Sequence, residues 1–506
     1  MNSPTGREAT DTNMYGNKTL NLCMKRFFRK IVILMMALTS AAAILFLLWN
    51  SGAFLPQWIR WENSEEYDAS GEYRLLLSHR TVHVTHGDSV IWTSQDGVKV
   101  QKALFCDVDN DNQGELVLLC WKKGRYGKVK PIWVEQDERN WSQHIFVYEY
   151  TPDEVKPKWM SSFIGQDVAD IASNQKSAPY SRLWLTDLEG AVSSWVWDSW
   201  GFAKEDTDIS FVAFGDLLAH EPIYRYGLNN GGDFGFLFEN VKDVIAESDI
   251  AIINQETPLT DNPSMYHDYP RFGTPVQVGE AVADAGFDIV TCATNHALDR
   301  GAEGVSFTKT FFDDSHVTCL GIQSEEEKEY WAYQTITRNG VRFALLNYTY
   351  GTNGLAIPDQ TPYMVHLLED EAKIRGDIAE AKNDADFVIV FAHWGTEYAE
   401  EPDDFQKQWA QVFLDSGVDI LIGTHPHVIQ PYEILTDDNG HKMLVYYSLG
   451  NFISAQPEKS CVKGGMAAFT VSLTAEGYRV TTYDFKPLSI TWQEGKYTVD
   501  FVSGVS

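Results

Sequence analysis

A chain of 506 residues is long enough for two or three domains, and its 44% hydrophobic and 22% charged residues are ordinary for globular protein. The formal charge is −31; residues 1–60 hold seven Lys/Arg against two Asp/Glu, a net of +5, so residues 61–506 carry −36. That acidity argues against nucleic acid as a partner, and it steers no polyanionic substrate unless bound metal supplies local positive charge. Six scattered cysteines without a CxxC exclude a disulfide framework.

Residues 1–24 are polar and without period, which predicts a disordered cytoplasmic tail. Residues 31–49 form an uncharged run long enough to span a bilayer. Lys25, Arg26, Arg29 and Lys30 precede it, while Glu62, Glu65, Glu66 and Asp68 follow. The positive-inside rule then predicts a single-pass cell-membrane protein with its N-terminus cytoplasmic and its bulk extracytoplasmic. A cleaved signal peptide is the alternative. Ala41 to Ala43 lie inside the apolar run and not after it, which favours an uncleaved anchor. Ser51 to Asp68 reads as a short linker.

Residues 69–205 show short aromatic and β-branched runs separated by turn signals, which predicts a small β-rich domain. Within it, Asp107-Val-Asp-Asn-Asp-Asn-Gln-Gly-Glu115 places oxygen ligands at alternating positions with a closing acid. It resembles a shortened EF-hand-type calcium loop, and more closely the loops of FG-GAP-type propeller blades. The resemblance implies Asp107, Asp109, Asp111 and Glu115 as calcium ligands, with a carbonyl at Gln113. An acidic turn without calcium fits the same residues.

Residues 207–490 alternate apolar strands with helical stretches at 236–248, 278–285, 304–312, 365–385 and 403–416, which predicts an α/β domain. Its last three strands follow one another directly, as an antiparallel part would. Five apolar runs end in residues that ligate metals: Asp216 with His220, Glu256, Asn295-His296, His393, and His425-x-His427. Open α/β sheets place their sites at the carboxyl ends of their strands. In an extended segment His425 and His427, two apart, point the same way. Mixed nitrogen and oxygen ligands suit Mn, Fe or Zn.

The order of these clusters resembles the two-metal, calcineurin-like phosphoesterases. The surrounding words are similar to the poly-γ-glutamate capsule synthesis (CapA) family: Asn254-Gln-Glu256-Thr-Pro-Leu, Thr294-Asn-His-Ala-Leu-Asp-Arg-Gly301, His393-Trp-Gly-Thr-Glu-Tyr398, Gly423-Thr-His-Pro-His427 and Tyr447-Ser-Leu-Gly-Asn-Phe452. The resemblance covers about residues 209–455. It implies a four-layer α/β/β/α metallophosphatase-like sandwich with two divalent transition metals. One ion would be held by Asp216, His220, Glu256 and His427, the other by Glu256, Asn295, His393 and His425. His296 would protonate a leaving group and Asp299 would orient it, with Glu397 and Asn451 on the rim. The first motif is Asp216-Leu-Leu-Ala-His220 and not Asp-x-His, and Glu256 replaces the usual Asp. The family implies hydrolysis or transfer on a cell-surface polymer or its precursor. The alternative is a non-catalytic accessory of membrane synthase subunits.

Overall fold

The computed structural model describes residues 12–126, 132–174, 181–199, 201–474 and 477–502. The chain divides into two compact units. One is Met1–Phe105 with Gly114–Asp170, the other Cys106–Gln113 with Ile171–Ser506.

The first unit opens with a helix, Thr12–Asn50. Its Met24–Asn50 portion, 27 residues of mean hydropathy 2.7, is long and apolar enough to cross a membrane. The helix begins inside the stretch predicted to be a disordered tail. Once an apolar helix is nucleated, each added polar residue extends it at little cost. Residues 1–11 lie outside the described residues. The expected linker is packed instead of slack. Ile59 is buried, Trp58 lies 5.8 Å from Trp121, and Glu62 N–H donates to Gln101 O at 3.3 Å. Beyond it, two four-stranded sheets run from Ser64 to Thr93 and from Lys99 to Met160. Their inner faces join in one core of Leu75, Leu77, Val84, Leu116, Leu118 and Phe146. Alternate residues of Tyr73–Ser78 are buried, as the two-residue period of a strand requires.

In the second unit, the sheet containing Arg182–Asp187, Val192–Asp198 and Gly201–Glu205 packs Trp184 and Val192 onto the core described next. Residues 171–205 therefore cluster with the α/β part of the chain. That part holds two larger sheets. In one, the strands Ile209–Leu217, Ile250–Gln255, Ile289–Thr291 and Thr318–Leu320 are parallel neighbours. Lys463–Thr474, Gly477–Gln493 and Lys496–Phe501 continue it antiparallel. In the other, Val341–Thr349, Phe387–His393, Ile420–Thr424 and Lys442–Tyr446 are parallel.

The continuous apolar runs follow from burial on both faces. Along Ile209–Leu217, Phe211 and Ala213 face the second sheet with Ile252 of their own sheet, and there they meet Phe343, Ile389 and Ile422. Val212 and Phe214 face outward, against residues of the helices Val276–Ala285 and Gly301–Asp314. The helices Glu371–Asp384 and Asp404–Asp415 cover the outer face of the second sheet through Ile374, Ile378, Trp409 and Phe413. The layers are therefore α/β/β/α, as expected. Helix ends are set locally. Asp403 and Gln406 form a capping box, and Gly286 closes Val276–Ala285 at φ 94°.

Candidate metal centre

Parallel strands deliver their carboxyl ends to one edge. Here the two sheets do so side by side. Asp216 stands where the register slips between Phe214 and Asp216. The slip admits the segment 449–453, whose Gly450 carbonyl accepts from Asp216 N–H at 3.0 Å. A Cβ on Gly215 would lie 1.8 Å from that carbonyl oxygen, so only glycine permits the approach. The buried Asp216 carboxylate accepts from Asn254 Nδ2 at 2.8 Å and from the His425 N–H at 3.2 Å, and stands 3.2 Å from His427 Nδ1.

Glu256 follows the next strand. Both of its carboxylate oxygens are buried and neither has a hydrogen-bond partner. Oε1 lies 3.9 Å from His393 Nε2 and 3.8 Å from His427 Nε2. Asn295 Oδ1 is 2.9 Å from His393 Nε2, and Thr424 Oγ1 is 3.0 Å from His393 Nδ1. His425 Nδ1 is also buried without a partner. One ligand atom from each of Glu256, His425 and His427 fits within 4.8 Å of the others. Buried polar groups are normally hydrogen-bonded. A carboxylate and an imidazole nitrogen that share an orphaned pocket, beside two more histidines, fit a cation.

The histidine pair converges for a different reason from the one expected. The strand ends at Thr424. His425 and His427 lie beyond it at φ 96° and 61°, in the left-handed region. A turn through Pro426, and not strand alternation, aims both rings inward. Such backbone strain persists only where the surroundings enforce it.

Burial drives His393 and His425 well below the ordinary imidazole value, with neighbouring histidine charge adding to it. Burial also pushes Glu256 well above the usual carboxylate range, against the pull of His427. For His427, burial works downward, but Glu256 and Asp216 outweigh it and raise the ring to about 9. The sign for stability follows. His427 and Glu256 hold protons in the folded state that the unfolded chain gives up earlier, so the chelated protein loses stability as pH rises from 6.5 toward 9. Below 6.5 the depressed His393 and His425 reverse the slope. Metal affinity should instead climb with pH, because ligation must expel those protons. Thermal unfolding of chelated protein across this range, beside titration calorimetry in buffers of different ionisation enthalpy, checks both trends. Equal slopes in the two experiments would contradict the assignment.

The structure places His220 outside this group. Its Nδ1 lies 3.2 Å from Leu218 O and accepts from Ala455 N–H at 3.3 Å; its Nε2 faces Asp268 at 4.0 Å. The ring meets Phe272 edge-on at 5.3 Å, and Phe272 meets His296 at 4.8 Å. His296 Nδ1 is 2.7 Å from Asp299 Oδ2, which also accepts from Phe272 N–H at 2.8 Å. His296 and His427 line a cavity of about 440 Å³ whose walls include His220, Asp268, Tyr269, Phe272, Glu397 and Tyr398. Asn451 Oδ1 holds His427 Nδ1 at 3.1 Å.

Four contributors carried no assignment from sequence: Asn254, Thr424, Asn353 and Asp268. Asn254 stands two residues before Glu256 in the quoted word, so its position is visible in sequence though its partner is not. Asn353 Oδ1 accepts from Asn295 Nδ2 at 3.3 Å, and nothing in its surroundings marks it. In the acidic loop, Asp107 accepts from the N–H groups of Asp111 and Asn112, and Asp111 from that of Gln113. Glu115 pairs with Lys158 at 2.6 Å.

The profile described as Bacterial capsule synthesis protein PGA_cap matches residues 210–456. PGA biosynthesis protein CapA of Bacillus subtilis (strain 168) is 32% identical over 260 residues, 50% of this chain and 65% of that protein. Capsule biosynthesis protein CapA of Bacillus anthracis is 28% identical over 268 residues, 50% of this chain and 61% of that protein. The chain thus spans somewhat less than two thirds of the length of these relatives. Among solved structures, the calcineurin-like phosphoesterase YfkN from Bacillus subtilis aligns with 56% of this chain and 91% of its own, at 12% identity and a TM-score of 0.32. A novel phosphatase from Mycoplasma pneumoniae aligns with 56% and 94%, at 14% identity and a TM-score of 0.36. Through residues 210–456, set on an α/β/β/α sandwich, the chain is similar to the CapA-type bacterial capsule synthesis proteins.

Proposed function

We propose that this protein is a membrane-anchored, extracytoplasmic hydrolase or transferase that uses two divalent transition metals in the synthesis, anchoring or release of a cell-surface polymer. The names of the relatives point to poly-γ-glutamate. The observation that carries the chemistry is the orphaned Glu256 carboxylate facing three histidines. Asp216, Glu256 and Asn295 from one sheet, with His393, His425 and His427 from the other, would hold the ions. Such ions activate water and stabilise attacking and leaving oxygens when bound.

The chain's own residues supply the rest. Asp299 fixes the His296 ring through Nδ1, which leaves the other nitrogen to deliver a proton at the cavity floor. Phe272 packs edge-on against both His220 and His296 and supports the His296 ring. The basic residues before the span favour a cytoplasmic N-terminus, which puts the cavity outside.

The test is turnover of phosphodiesters and γ-glutamyl peptides by the metal-loaded full chain. His296→Ala should retain metal and lose about 10²- to 10⁴-fold in kcat, the usual worth of a positioned proton donor. Unchanged turnover in His296→Ala would remove the assigned role. The displaced His220 favours a second interpretation, a non-catalytic accessory of a membrane synthase. A metal-loaded wild type that turns over neither substrate class would support it.

A further inference from the structure

We propose that Ile132 and Trp133, together with Phe54, seat the first unit on a bilayer surface with anionic headgroups. This seat presupposes that Met24–Asn50 spans the membrane. At the end of that helix, Lys123 Nζ bonds the Asn50 side chain and lies 3.8 Å above the Trp49 ring. Trp141 Nε1 donates to the Trp49 carbonyl at 3.0 Å. The last turn of the helix is thus gripped by the final residue of one strand and the first residue of the next.

Both ends of the connection between those two residues therefore stand at the edge that holds the helix end. Its neck is tied. Gly124 N–H donates to Asn140 O at 3.0 Å, and the Asp137 carboxylate accepts from the Arg125 and Tyr126 N–H groups. Beyond the neck, Ile132 is 99% and Trp133 83% exposed, and Phe54, just past the helix, is 59% exposed. Large apolar side chains so fully in water are unusual on a soluble surface.

Charge agrees with this placement. In a body that carries −36, residues 122–126 at the neck hold Lys122, Lys123 and Arg125 and no acid. Of the acids that follow, Asp137 accepts from backbone N–H groups and Glu138 meets Arg125 at 3.4 Å. Tryptophan belongs at the level of lipid headgroups, and juxtamembrane cations are drawn to anionic lipid. A protein partner could cover the same residues, but only the membrane is already fixed at this edge by the helix.

Site-directed spin labelling decides the matter. The full chain with Cys23→Ser goes into phosphatidylglycerol-containing bilayers; the five cysteines beyond the span are buried. Labels are placed singly at Trp133→Cys, Ile132→Cys, Leu34→Cys within the span, and the exposed Trp492→Cys. Collision with oxygen is compared with collision with a water-soluble nickel chelate. The expected result is a shift of both loop labels from the water-like ratio of Trp492→Cys toward the lipid-like ratio of Leu34→Cys. Water-like loop labels beside a lipid-like Leu34→Cys overturn the seat and leave the anchor standing. A water-like Leu34→Cys overturns the anchor and the seat together.

Discussion

Elemental analysis of the purified full chain is expected to return about two transition-metal ions per molecule, and an Asn295→Ala/His425→Ala double variant to return at most about one. Both substitutions fall in the set of Glu256, Asn295, His393 and His425, which loses half its ligands, and that set shares Glu256 with the other. Glu256→Gln gives a sharper signature. The wild-type carboxylate is buried with no partner for either oxygen, an arrangement that costs free energy unless a cation is present. In chelated protein, Gln removes the ionisable group, and stability at alkaline pH should rise. With free metal at a hundredfold excess over Kd, wild type should gain about 2.7 kcal/mol, and the variant almost nothing. Opposite signs with and without metal separate a ligand from a merely structural carboxylate. Metal content untouched by the double variant would move the balance to the accessory interpretation.

Gly215→Ala is expected to destabilise the second unit by about 3 kcal/mol, the upper part of the range for overpacking. The added methyl would lie 1.8 Å from the Gly450 carbonyl oxygen, and backbone cannot rotate away as a side chain can. Relief requires separating the Asp216 strand from the segment that carries Asn451. Metal content should therefore fall with stability. Gly351→Ala is the control, because a Cβ there meets nothing within 4 Å. Urea unfolding of both variants reads the difference. A shift below about 1 kcal/mol for Gly215→Ala would show that the strands separate easily.

Much of this candidate site is legible in the sequence. The candidate ligands follow apolar runs, and parallel strands buried on both faces must be apolar throughout, which marks Phe211–Phe214 and Phe387–Ala392. What periodicity could not show was the turn. His425 and His427 share a side because two left-handed residues flank Pro426, a conformation that a pattern of apolar residues does not encode. His220 illustrates the converse. Its spacing from Asp216 was odd in sequence, and the structure turns its nitrogens toward Leu218, Ala455 and Asp268. The cavity wall at Asp268, Tyr269 and Phe272 sits in a loop with no period at all. The expected linker was invisible as structure because its anchoring contacts, Trp58 on Trp121 and Glu62 on Gln101, join residues distant in sequence.

The ligand set is divided between two sheets, and the division has a kinetic consequence. The His425 amide and the Asp216 carboxylate meet across 209 residues of chain. Closing so long a loop is slow and comes late in folding. On the two-metal proposal, neither half-set, Asp216 with Glu256 and Asn295 or His393 with His425 and His427, would hold a cation pair by itself. High affinity for metal would then begin only when the two sheets have docked. An ion bound there would act as a latch on the seam between them. Its dissociation would report the opening of that seam.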